Sequence, residues 1–207
     1  MEVHKFSGME FDTLRELGNI GANGACNSLS KMLGERVDIQ VTNAQIVDIV
    51  QVPRLVGGPE TIVGAIYVRI LSNIPGAMLL IFSRDSTLSL VDMLLGRDVG
   101  TTKTLRELDE SAFRELGNIL IGSYLSAVAD FLHIKIDQSI PHMSFDMVGA
   151  ITDFVAIEIA KFSERAVLIQ TEFRFEKIEG DIFMIIDPTS AEELLKSAQK
   201  LLGGSIG

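Results

Sequence analysis

The sequence predicts an α+β fold, a mostly antiparallel sheet covered by helices with two long helices side by side, and three observations support this. A six-residue phrase occurs twice, as Arg15-Glu16-Leu17-Gly18-Asn19-Ile20 and Arg114-Glu115-Leu116-Gly117-Asn118-Ile119, offset by 99 residues. Each copy opens a stretch of helical periodicity, and each is followed by β-rich runs and a second, shorter helix backed by glycine. Duplication of this kind yields two pseudo-symmetric units around one core. The repeats are assigned to about 7–96 and 109–204 of a single domain, 1–207, joined by a polar linker at 97–108 that contains Gly100-Thr101-Thr102-Lys103-Thr104.

Taken in order, residues 11–33 form the first long helix, with Ser7 or Asp12 as cap and Gly34 at the end, where a left-handed residue commonly stops a helix. Leu14, Leu17, Gly21, Ala25, Ser28 and Met32 make its inner stripe, which turns Asp12, Glu16, Asn19 and Asn23 outward. Gly18, Gly21 and Gly24 each cost a helix about 1 kcal/mol relative to alanine, so close packing must compensate. Residues 37–41 alternate as a half-buried strand, and residues 44–57 stay ambiguous. Runs at 61–71 and 77–82 flank Asn73-Ile74-Pro75-Gly76 and read as a hairpin. A helix over 85–95, capped by Asp85 or Ser86 and followed by Gly96, closes the half. The order then restarts: a long helix at 109–132, a strand at 134–137, a hairpin from 154–162 and 165–176, a strand at 181–186 and a helix at 188–202 opened by Pro188.

Composition narrows the function. A net charge of −10 and a pI near 4.8 argue against a nucleic-acid binder, whose affinity comes from cations neutralising phosphates, and favour a partner with a basic surface. The only cysteine, Cys26, excludes an intramolecular disulfide, and the first residues form neither a basic n-region nor an apolar h-region. No apolar run approaches the roughly 20 residues of a membrane helix, so no membrane insertion is expected and the cytoplasm is the expected compartment.

The residue inventory excludes the commoner catalytic machines. No nucleophile sits beside a base, and His4, His133 and His142 fall in no metal-ligand spacing. The glycines match neither a dinucleotide fingerprint nor a Walker A loop. A Glu and an Asn three residues apart recur twice, with Glu16 and Asn19 answered by Glu115 and Asn118. An asparagine amide offers an acceptor oxygen and two donor hydrogens, enough to place a water for in-line attack but too weakly basic to deprotonate it. Placement suffices only for a labile substrate such as an aspartyl phosphate, which on a receiver protein arrives with its own Mg²⁺ and lysine. A glutamate beside it would repel phosphate and is better suited to pairing with a cation on the partner.

Asp12-x3-Glu16-x2-Asn19 and Ser111-x3-Glu115-x2-Asn118, the latter followed after 22 residues by Pro141, resemble the signature of the CheC, CheX and FliY phosphatase family. The resemblance extends over nearly the whole chain, including Gly18-Asn19-Ile20-Gly21-Ala22 and Leu125-Ser126-Ala127-Val128-Ala129-Asp130-Phe131-Leu132. It implies dephosphorylation of the chemotaxis response regulator CheY, with Glu16, Asn19, Glu115 and Asn118 catalytic and Asp12, Ser111 and Pro141 flanking them. It implies no cofactor of the chain's own, Mg²⁺ being carried by phosphorylated CheY. It also implies a second partner, the receptor deamidase CheD, held by a short exposed helix within 141–151 through Phe145, Asp146 and Met147. One departure from the pattern is Thr42, which stands in the first half where Pro141 stands in the second. The alternative class is a non-catalytic adaptor that docks CheY or CheD.

Overall fold

A computed structural model of the chain describes residues 6–48, 51–55, 58–160, 163–176 and 178–203. The elements are α1 (Gly8–Leu33), β1 (Asp38–Asp48), α2 (Val52–Leu55), β2 (Ile62–Ile70), β3 (Gly76–Ser83), α3 (Arg84–Leu94), α4 (Glu107–Leu132), β4 (His142–Met147), α5 (Val148–Ala160), β5 (Arg165–Phe175), β6 (Ile178–Ile186) and α6 (Pro188–Gly203). The six strands form one sheet in the order β1-β5-β6-β3-β2-β4, and every neighbouring pair is antiparallel. The predicted α+β class with two paired long helices is the observed one.

Strand periodicity divides the sheet into two buried faces. Ile66, Val68, Met78, Leu80, Phe82, Ile169, Ile182 and Met184 face a core shared with α1, α3, α4 and α6. Their alternates Ala65, Tyr67, Leu79, Ile81, Leu168, Phe183 and Ile185 face α5, which buries Val148, Ile151, Val155 and Ile159. Burial on both sides explains why the central strands read as continuous apolar runs. The halves also exchange strands. β1 of the first half pairs with β5 of the second, and β4 of the second pairs with β2 of the first.

Several elements differ from expectation. No strand forms at 134–137; after α4 the chain makes only an isolated bridge, Gln138 to Ile70, and the strand begins at His142. Residues 154–160 are not a hairpin arm, because Ile151, Val155 and Ile159 recur every four residues and make the buried face of α5; the last two residues of the expected arm, 161–162, lie outside the described residues. The second hairpin is β5 with β6. The helix expected within 141–151 is instead β4 followed by the start of α5, which puts Phe145, Asp146 and Met147 on the strand. Ser7 rather than Asp12 caps α1, in a capping box with Glu10, and Ser83 rather than Asp85 or Ser86 caps α3. The ambiguous stretch at 44–57 supplies the end of β1 and the short α2.

The polar stretch between the halves is held in place. Asp92, fully buried, accepts hydrogen bonds from the Thr102 hydroxyl (2.6 Å) and from the backbone N–H groups of Thr102 and Gly100. Arg97 donates to Thr102 and to Asp109 (2.7 Å), and Asp109 accepts the Arg106 N–H at the start of α4. Burial pushes both carboxyls up, but these donors outweigh it and hold each below the usual carboxylate range.

Candidate functional site

Packing fixes the outward face of each long helix. Leu14, Leu17, Gly21, Ala25 and Leu29 of α1 are buried, which leaves Asp12, Glu16, Asn19 and Asn23 exposed as the sequence predicts. Arg15 pairs with Asp12 at 2.9 Å. Asn19 Nδ2 donates to Glu16 Oε2 at 3.1 Å, so the first Glu and Asn meet across one helical turn. In α4, Phe113, Leu116, Leu120 and Tyr124 are buried, while Ser111 and Glu115 are exposed and Asn118 is half-buried. Asn118 Oδ1 accepts from Gln138 Nε2 at 3.2 Å.

The helices meet at small residues. A Cβ on Gly24 would lie 2.5 Å from the Ser123 carbonyl oxygen, and one on Gly21 would lie 2.5 Å from the Tyr124 ring, so glycine alone permits this approach. Ser28 and Ser123 share a 2.6 Å hydrogen bond across the pair. Both helices lie on one face of a sheet whose order reverses under the repeat, so the pseudo-twofold axis is perpendicular to the sheet and the helices run antiparallel. Asn19 precedes Gly24 by five residues, and Asn118 precedes Ser123 by five. At 1.5 Å rise per residue the two asparagines therefore sit about 15 Å apart along the helix pair, towards opposite ends.

Pro141 lies between the Gln138 bridge and β4, both of which run along β2. Tyr67 is opposite His142 and Ile70 opposite Gln138, so the register slips by one residue there, a place suited to a residue without an N–H. Thr42 lies in β1, where pairing with β5 also slips, between Val41 and Asn43. The corresponding edges are thus both irregular, one with proline and one without.

Phe145, Asp146 and Met147 do not share one face: Asp146 is on the α5 side of the sheet with His142, whereas Phe145 and Met147 alternate with it and share the face of Met143, which packs against the core of α1 and α4. Phe145 is opposite Gly64 and half-buried, whereas Asp146 and Met147 are exposed at the end of β4. Asp146 Oδ1 accepts the Met147 N–H at 2.7 Å. Asp146 borders a groove of about 220 Å³ with Tyr67, His142, Ala150 and Phe154, on the α5 side of the sheet. Tyr67 and Phe154 meet edge to face at 5.4 Å, and burial, with a smaller contribution from the Glu158 charge, pushes the Tyr67 phenol up to about 12.

Two features had no signal in the sequence pattern. Gln138 lies just beyond the stretch read as a strand, with nothing in its spacing to link it to Asn118. The Asp92, Arg97, Thr102 and Asp109 network ties the stretch read as a linker to the helices on either side. Cys26 donates its thiol to the Val37 carbonyl, and burial pushes its pKa up, as suits a packing residue. Among the described residues no three His, Cys, Asp or Glu side chains cluster as a metal site, and no helix is long and apolar enough to cross a membrane. His4 lies outside the described residues.

Fold and site together define a duplicated helix-on-sheet protein that displays a Glu-x-x-Asn pair on each of two antiparallel helices. The chain belongs to the CheC-like family, whose model matches residues 9–41 and 108–142, the two segments that carry these pairs. It is 30% identical over 191 residues to the CheY-P phosphatase CheC of Bacillus subtilis, covering 89% of this chain and 91% of that one. It is 26% identical to the flagellar motor switch phosphatase FliY of the same organism, over 95% of this chain but only 51% of FliY. The crystal structure of Thermotoga maritima FliY has the same fold, with a TM-score of 0.77 at 19% identity, covering 95% of this chain and 99% of that one.

Proposed function

We propose that this chain dephosphorylates the aspartyl phosphate of a CheY-type response regulator, with Asn19 and Asn118 placing the attacking water and Glu16 and Glu115 pairing with a cation on the regulator. The observation that carries this reading is the repetition of one Glu-x-x-Asn pair on the outward face of both long helices, in a chain 30% identical to a CheY-P phosphatase. An amide oxygen has two lone pairs, so it can accept a hydrogen from water and leave the water's own lone pair free to attack phosphorus. The regulator supplies the Mg²⁺ and lysine that neutralise the phosphoryl oxygens, and the asparagine contributes geometry. Glu16 and Glu115 each stand one turn before the asparagine on the same helical face, where a carboxylate can pair with a lysine of the regulator. A net charge of −10 favours approach of a cationic surface.

The same reading assigns a second partner, CheD, to the edge of β4 around Phe145, Asp146 and Met147. An acidic side chain there can occupy a deamidase pocket as a mimic of glutamine that has no amide to hydrolyse. Asp146 borders the groove on the α5 side, across the sheet from α1 and α4, so both partners can bind together. Asp146→Lys is expected to abolish CheD binding in a pull-down while dephosphorylation continues; undiminished CheD binding would remove Asp146 from the contact. The phosphatase reading is tested by phosphate release from a regulator labelled with acetyl phosphate. Release accelerated by catalytic amounts of the chain supports the enzyme, and binding without acceleration leaves an adaptor.

A further inference from the structure

Gln138 is an anomaly for a residue kept only for packing. Its Nε2 donates to Asn118 Oδ1 at 3.2 Å, yet its own Oε1 is buried with no hydrogen-bond partner among the described residues. A buried orphan acceptor is destabilising, and an apolar side chain of similar shape would avoid that cost. The surroundings favour the contact. Gly122 lies one turn beyond Asn118 on the same face of α4, and a Cβ there would stand 3.7 Å from Gln138 Nε2, in ordinary van der Waals contact, so the glutamine amide lies along this face of the helix. The backbone on either side is pinned to β2 by Leu71 N–H to the Asp137 carbonyl (2.7 Å) and Ser139 N–H to the Arg69 carbonyl (2.9 Å). Gln138 is thus held by the sheet, and Asn118 by Gln138.

The first repeat carries a different residue at this position. The 99-residue offset puts Ile39 at the position of Gln138 and Asn23 at that of Gly122, and an isoleucine has no hydrogen to donate. Asn19 is held instead by its own helix, through Glu16.

We propose that Gln138 is a positioning residue for the second site: it fixes the Asn118 amide with one oxygen lone pair occupied and the other directed to the attacking water. The assignment rests on the phosphatase reading above. A preset amide loses no rotamer freedom when the regulator docks, and for a residue whose whole contribution is placement that freedom is reflected in the turnover rate. Asn118 should therefore be the more effective of the two asparagines.

The test uses Gln138→Met in two backgrounds, with phosphate release from phosphorylated regulator as the readout. With site one disabled by Asn19→Ala, Gln138→Met is expected to lower kcat about tenfold with KM within about twofold, while the thermal midpoint is unchanged or raised by loss of the orphan acceptor. With site two disabled by Asn118→Ala, the same substitution should change kcat by less than about twofold. An unchanged kcat in the Asn19→Ala background, equal losses in both backgrounds, or an Asn19→Ala protein with no activity at all would each overturn the positioning role. Failure of the underlying reading is distinguishable, because the unsubstituted chain would then release no phosphate above the spontaneous rate.

Discussion

At the scale of single residues, the amide and the carboxylate of each pair should separate in a kinetic experiment. Replacing Glu16 and Glu115 by alanine removes a charge at the docking surface, so KM should rise, most visibly at low salt, while kcat falls less. An unaltered KM at low salt would show that neither carboxylate meets the regulator. Asn118→Ala alone should cost more activity than Asn19→Ala alone, because among the described residues Asn118 is held from outside its own helix and Asn19 by its own helix; equal losses would contradict that inequality. The Glu and Asn positions were legible in the sequence because two copies of one phrase carry them on the same helical face. Gln138 was not legible. Its contact with Asn118 depends on where the chain returns along β2, and one-dimensional spacing does not record that path.

At the scale of elements, both long helices end on a left-handed residue, Gly34 with φ 71° and His133 with φ 53°. A non-glycine residue there is strained, so His133→Gly should stabilise the fold by roughly 0.5–1 kcal/mol in denaturant titration. A loss of stability would mean the histidine side chain makes a contact worth more than the strain. The stretch before α4 gives an acid-sensitivity prediction. Asp92 and Asp109 are held below the usual carboxylate range, so their stabilising contribution is fully present above the unfolded value of about 3.9 and is lost as pH falls through each folded value. Asp92→Asn should cost roughly 2–4 kcal/mol at pH 7 and flatten the decline in stability below pH 4. A variant with the unaltered acid profile would contradict this. Helices α1, α3, α4 and α6, the Ser7 cap and the first hairpin were legible from periodicity and punctuation. Of the misread stretches, 154–160 is an apolar run in which strand and helix patterns coincide, and α5 covers a sheet face that would otherwise be bare; 134–137 alternates like a strand, but the chain makes only the Gln138 bridge before β4.

At the scale of the molecule, exchange of β1 and β4 between the halves makes each repeat complete the other's sheet. A fragment of residues 1–96 lacks the partners of β1 and of the outer edge of β2, and should give the collapsed amide dispersion of an unfolded chain in a proton–nitrogen spectrum. Native-like dispersion would show that a repeat can stand alone. The same architecture positions the sites: small residues bring α1 and α4 together, and the pseudo-twofold turns their asparagines towards opposite ends, about 15 Å apart along the pair. The central claim is that those two amides perform the chemistry. Its most direct test is phosphate release from phosphorylated regulator by the Asn19→Ala, Asn118→Ala double variant, with regulator binding measured on the same sample. The account predicts release at the spontaneous rate with affinity within about threefold of the unsubstituted chain, and full phosphatase activity in the double variant would contradict it.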